Sequence, residues 1–151
     1  MLAIAGDSWG CGVWGIEAPQ PGIKDPIFSR LFAEAGVETV NVSKPGGSNT
    51  EACARLRDLI ITNPHLKIDQ ALVFQTDYIR DILDQFDQAR RVPNIAAPVL
   101  DNYQQVLSVT LSKYYCQLSK ISTMYGVQIQ LVGGCSDTIW LDKFTEEYPG
   151  V

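Results

Sequence analysis

Ser8 follows Gly6-Asp7 and precedes Trp9-Gly10-Cys11-Gly12, which places a hydroxyl in a glycine-rich turn. A serine hydroxyl attacks an acyl carbon only when a neighbouring base takes its proton. The oxyanion that forms then needs N–H donors already aimed at it. Three later stretches carry matching chemistry: Gly46-Gly47-Ser48-Asn49, Thr76-Asp77 with Arg80, and Gly133-Gly134. Glycine loops offer backbone N–H groups with no side chain in the way. Acyl transfer is the reaction this set suits.

The elements around these stretches are short and alternate in type. Leu2 to Ala5 is a continuous apolar run, the pattern of a strand buried on both faces in a parallel sheet. A Pro-punctuated loop, Glu17 to Asp25, leads to a helix over Pro26–Ala35, with Asp25 as cap, Gly36 as stop, and Ile27, Leu31 and Ala35 on one face. Val37 to Val42 alternates and is rich in β-branched residues, so it reads as a second strand. Ser48 and Glu51 have capping-box spacing ahead of a helix whose stripe is Ala52, Leu56, Leu59 and Ile60. Asn63-Pro64 breaks it. Ala71–Phe74 is the third apolar run, and Asp84 to Pro98 reads as a loop or short helix on the rim of the site. A long helix starts near Asp101, carries Leu107, Leu111, Tyr114, Leu118, Ile121 and Tyr125 as a stripe, and ends at Gly126. Val127–Val132 is the fourth strand. The alternation predicts one α/β domain over 1–151, a doubly wound parallel sheet in order 2-1-3-4 with helices on both faces. In such sheets ligands sit beyond the carboxyl ends of the strands, where Ser8 falls.

The 151 residues suffice for one sizeable core, and 46% apolar with 19% charged residues mark a globular chain. A net charge of -5, with no basic cluster larger than Arg90-Arg91, argues against a nucleic-acid partner. No segment has the length of a membrane span or a signal peptide's apolar core, so a cytoplasmic protein with no membrane partner is expected. Cys11, Cys53, Cys116 and Cys135 are widely spread and read as reduced thiols, with no disulfide frame and no metal site. No cofactor is expected.

Gly6-Asp7-Ser8, with Gly10 and Gly12 behind it, resembles the first block of the SGNH (GDSL) hydrolases, serine esterases and lipases on a flavodoxin-like sheet. Asn41 to Gly46 is similar to that family's second block, and Phe74–Arg80 sits where the third, G-x-N-D, should fall. Three blocks in order, each at the end of a predicted strand, carry the resemblance more than any one motif does. The resemblance implies Ser8 as nucleophile, with the N–H groups of Ser8 and Gly46 as oxyanion donors and Thr76 as a weaker third in place of the family's Asn. Asp77 matches the block's Asp. The family's last block, D-x-x-H, which supplies the general base, is absent. The single histidine, His65, lies between the second helix and third strand, at the amino end of the sheet.

The resulting expectation is an esterase or acyl hydrolase for small esters or acylated carbohydrate, weak or inactive for want of its base. The chain would be either part or a shortened form of a longer hydrolase, lacking a fifth strand, or a non-catalytic relative. A binding module for a glycan or acyl ligand and an assembly scaffold are the alternatives, and the fourth-strand edge is an expected self-association surface. Supporting roles fall to Asp7, anchoring the turn by hydrogen bonds, and to Asp77 and Arg80, paired as a loop brace. Ser48 is read as a helix cap. Trp9, Trp14 and Trp140 are read as core or rim packing. Phosphate binding at Pro45–Asn49 is the rival use of that loop.

Overall fold

The structure is a computed structural model that describes residues 1–7, 9–12, 27–78, 80–82 and 103–133. β1 (Leu2–Ala5) is buried at every position. It is paired on both sides, in parallel with β2 (Thr39–Asn41) and with β3 (Gln70–Phe74). β4 (Gln128–Val132) adds in parallel to β3, giving the expected order β2-β1-β3-β4. A central strand has no face turned to water, which is why Leu2–Ala5 carries no polar residue.

Successive side chains point to opposite faces, so register sorts the core into two layers. Ala3 is level with Ala71 and Ala71 with Ile129; Ala5 is level with Val73 and Val73 with Leu131. These residues meet α2 (Asn49–Thr62) and α3 (Tyr103–Tyr125) through Ala52, Leu56, Leu111, Tyr114 and Leu118. Alanine at positions 3, 5 and 52 lets α2 approach the central strand closely. Burying each large side chain here, such as Leu56 or Leu118, contributes roughly 1.5–3 kcal/mol. Ile4 and Phe74 point the other way, where Phe28 of α1 (Ile27–Glu34) stacks on Phe74 with ring centroids 4.8 Å apart. Helices therefore cover both faces of the sheet.

Two local signals in the sequence act as read. Ser48 Oγ accepts the Glu51 N–H and Glu51 Oε2 accepts the Ser48 N–H, both at 3.3 Å, completing the capping box. Gly126, at φ +67°, takes the chain out of α3. Other readings are corrected. Leu31, at 51% exposure, and Ala35 face water, so the expected inward stripe fails at these two positions; Phe28 and Phe32 are half-buried instead, and the side chain of Ile27 lies outside the described residues. Two phenyl rings remove more apolar area from water than a leucine and an alanine, and that difference sets the helix's rotation. The second strand is Thr39–Asn41, shorter than the expected Val37–Val42: those three residues are in register with Leu2–Ile4, while the Glu38 carbonyl and the Val42 N–H make the flanking bonds to Leu2 and Ile4. Tyr125 ends the long helical stripe exposed at its last turn.

Among the described residues β4 closes one edge of the sheet order. Residues 134–151, which bear on the expected free edge and fifth strand, lie outside them, as do the loop Glu17–Asp25, the stretch Asp84–Pro98, Trp14 and Trp140. Among the described residues no helix is long and apolar enough to cross a membrane.

Candidate functional site

Strand order brings the loops after β1, β2 and β3 to one edge, and side chains then tie them together. The Gly6 carbonyl, just past β1, accepts the Lys44 N–H and Arg55 Nη2, each at 3.0 Å. Arg55 also donates from Nε to the Val42 carbonyl at 2.8 Å, so one α2 side chain holds the ends of two strands. Asn41 Nδ2 donates to the Gly10 carbonyl at 2.9 Å, while its Oδ1 accepts the Ser43 N–H at 2.9 Å. Glycine at 6 and 10 is required by close approach. A Cβ at Gly6 would stand 2.7 Å from Phe74 Cβ, and one at Gly10 would strike Ser43 Oγ. These glycines let the turn lie tight against its neighbours.

Asp7 is 1% exposed and fully engaged. Its Oδ1 accepts the Trp9 N–H at 2.9 Å, a side-chain turn bracketing position 8, and its Oδ2 accepts Arg80 Nη1 at 2.9 Å. Its carbonyl accepts the Cys11 N–H at 3.0 Å. Asp7 thus joins Trp9, Cys11 and Arg80 by hydrogen bonds. The loop brace is corrected: the Arg80 guanidinium pairs with Asp7, not Asp77. Asp77 is exposed and meets Arg80 through the backbone, its carbonyl accepting the Arg80 N–H at 3.1 Å. A nearly buried carboxylate gains more from a cation than an exposed one does, because water competes less for it. Ser8 itself lies outside the described residues.

Thr76 is buried, and its backbone is clamped by a residue 27 positions away. The Thr76 N–H goes to Asn49 Oδ1 at 2.9 Å, and Asn49 Nδ2 donates to the Thr76 carbonyl at 3.1 Å. Asn49 Nδ2 also reaches Asp81 Oδ2 at 2.8 Å. Asp81 accepts the backbone N–H groups of Asn49 at 3.3 Å and Thr50 at 2.7 Å. With Ser48 on the Glu51 N–H, the first turn of α2 is satisfied by the protein's own groups. An internal carboxylate stands where a bound phosphate would accept those N–H groups, which removes the phosphate reading of Pro45–Asn49. Gly46 is different. It is exposed at φ +74°, and its N–H has no partner among the described residues.

Beneath this rim lies a phenolic layer. Gln75 Nε2 donates to Tyr115 Oη at 2.9 Å, and the Tyr78 and Tyr115 hydroxyls are 3.2 Å apart. Burial drives the neighbouring Tyr114 hydroxyl well above the usual tyrosine range, so it stays neutral. Burial, and behind it the Asp7 carboxylate, push the Cys11 thiol up to about 11 against the opposing charge of Arg55. Cys11 is therefore a thiol at neutral pH and no nucleophile. Among the described residues no group of three His, Cys, Asp or Glu side chains could hold a metal ion.

Asn49, Asp81 and Arg55 are the positioning residues the sequence reading missed. The signal lay in the strand order, which sets the start of α2 beside the end of β3. His65 sits exposed on the 3-10 turn Pro64–Leu66. That turn runs into Asp69, whose N–H donates to the Met1 carbonyl at 3.4 Å, the amino end of β1 and the edge opposite Asp7. His65→Ala is accordingly expected to leave any Ser8-dependent ester hydrolysis unchanged within twofold. A tenfold loss of kcat/KM in that variant would contradict the placement. Neither family models, nor curated proteins, nor solved structures give a match to this chain.

Proposed function

We propose that this chain is a serine hydrolase domain of the SGNH type, directed at small esters or acyl groups on carbohydrate, and short of its general base. The carrying observation is the interlock at the carboxyl edge: the loops holding Gly6-Asp7, Asn41–Gly46 and Thr76–Arg80 are tied to one another by Asn41, Asn49, Arg55 and the Asp7–Arg80 pair. Those are the stretches that resemble the family's three blocks, and the order β2-β1-β3-β4 is that of a flavodoxin-like sheet. The exposed Gly46 N–H is suited to an oxyanion. Ser8 is the nucleophile in this reading, with its own N–H and Gly46 as donors and Thr76 as a lesser one. Asp7 and Arg80 act by holding the turn.

A second reading, a binding module for a glycan or acyl ligand, is favoured by His65, the chain's one histidine, standing at the opposite edge. A fluorophosphonate probe separates the two. Slow labelling confined to Ser8, abolished in Ser8→Ala, is expected of the hydrolase site. Labelling no more selective for Ser8 than for other serines would discard it, and glycan-array binding without labelling would favour the module.

A further inference from the structure

We propose that the outer face of α2 and α3, away from the candidate site, is a docking groove for an acidic amphipathic helix of a partner protein. Two adjoining hollows open on this face, of about 390 Å³ and about 500 Å³, and Tyr125 lines both. α2 lines them from Thr50 through Cys53, Ala54 and Arg57 to Ile60 and Ile61, a stripe at i, i+3, i+4, i+7 spacing. At 1.5 Å per residue the stripe is roughly 16 Å long, about three helical turns. Ile121 and Ile68 give it an apolar lining. Met124, Ile61 and Tyr125 stand 71%, 52% and 37% exposed along it. Single exposed apolar residues are ordinary, but three along one lined strip form a patch. Among the described residues no element lies over it.

Charge selects the occupant. Arg57, Lys120 and Lys67 line the two hollows, and among the described residues no carboxylate does. Arg57 is partly neutralised by Asp58, whose Oδ1 accepts its Nη2 at 2.9 Å, which leaves the two lysines. The 23 residues of α3 include two lysines and no Asp or Glu, in a chain of net charge -5. Three of the chain's 12 basic residues thus stand along this apolar strip. A second copy joined through a two-fold axis would set this basic strip against an identical basic strip, a like-charge contact. A helix with leucines at i, i+3/i+4 and i+7 and glutamates on its flanks answers both the spacing and the charge.

The test uses the full chain and two labelled 16-residue helical peptides with the same leucine stripe, one flanked by Glu and its twin by Lys, read by fluorescence anisotropy. The Glu peptide is expected to bind at least tenfold more tightly than the Lys twin, and to weaken with added salt. Met124→Glu should weaken it at least tenfold. The double variant Lys67→Glu with Lys120→Glu should reverse the preference between the peptides, a result that lost packing alone could not produce. All three positions are exposed, so circular dichroism and the unfolding midpoint should stay as in the parent chain. Equal affinity for both peptides, no binding of either, or no effect of the variants overturns the proposal. So does a dimer in sedimentation that Met124→Glu dissolves, or tighter binding to phosphatidylserine vesicles than to the Glu peptide.

Discussion

A chromogenic short-chain aryl ester offered to this chain alone should be hydrolysed feebly, far below the rate of a complete serine hydrolase. A base must come within about 2.6–3.2 Å of the proton it removes. The chain has one histidine, and it stands at the amino edge of the sheet. The groups beside position 8 are poor substitutes. The Asp7 carboxylate is held by the Trp9 N–H and Arg80, and the Cys11 thiol, raised to about 11, keeps its proton. What remains is binding and oxyanion stabilisation, a residual acceleration of roughly 10³–10⁴ over water. That is about 10⁶-fold below what a complete serine–histidine pair achieves. Initial rates should therefore differ little between the parent and Ser8→Ala. Appending a D-x-x-H segment would supply the base, and turnover and fluorophosphonate labelling of Ser8 should then rise together. Strong Ser8-dependent turnover by the chain alone would mean that another group takes the proton.

The largest stability effect is expected at Asp81. This carboxylate, 2% exposed, accepts two backbone N–H groups at the start of α2 and one from the Asn49 amide. Asp81→Ala takes the acceptor from three N–H groups, two of them buried and one part-buried. Each orphaned buried group costs about 1–3 kcal/mol and loss of a helix cap about 0.5–2 kcal/mol, and contributions within one network do not add in full. A loss of roughly 3–5 kcal/mol is expected, read as a lower urea midpoint at unchanged slope, or as a melting temperature lower by about 10 °C. Asn49→Ala should cost less, because the Thr76 peptide then loses its partners while Asp81 keeps the helix N–H groups. The double variant should fall short of the sum by about 1 kcal/mol or more, since the two residues share a hydrogen bond. A cost below 1 kcal/mol for Asp81→Ala would show that the cap is replaceable.

The difference between what was readable in the chain and what was not follows the range of the interactions. The Ser48–Glu51 box spans three residues, the Leu111–Leu118 stripe two helical turns, and the apolar run Leu2–Ala5 four positions. Propensity, capping and periodicity act over such distances, so these features could be read directly. The alternation of short apolar runs with helical segments then allowed few topologies, and the parallel order β2-β1-β3-β4 follows from it. The identity of each polar partner was not readable. Arg80 had Asp77 three positions away, yet its guanidinium crosses to Asp7, 73 positions distant, where a buried carboxylate offers the stronger field. The inward face of α1 depended on Phe74, a residue of a strand, and so the expected stripe failed at Leu31 and Ala35. Asn49, Asp81 and Arg55 carry no motif. They matter because pairing β1 with both neighbours sets the start of α2 beside the end of β3, where their side chains meet backbone groups the sheet leaves unpaired. The sequence by itself determined the elements and the edge at which the loops after β1, β2 and β3 meet. Tertiary structure decided which side chains hold that edge together, because desolvation makes a hydrogen bond strong only where folding has excluded water.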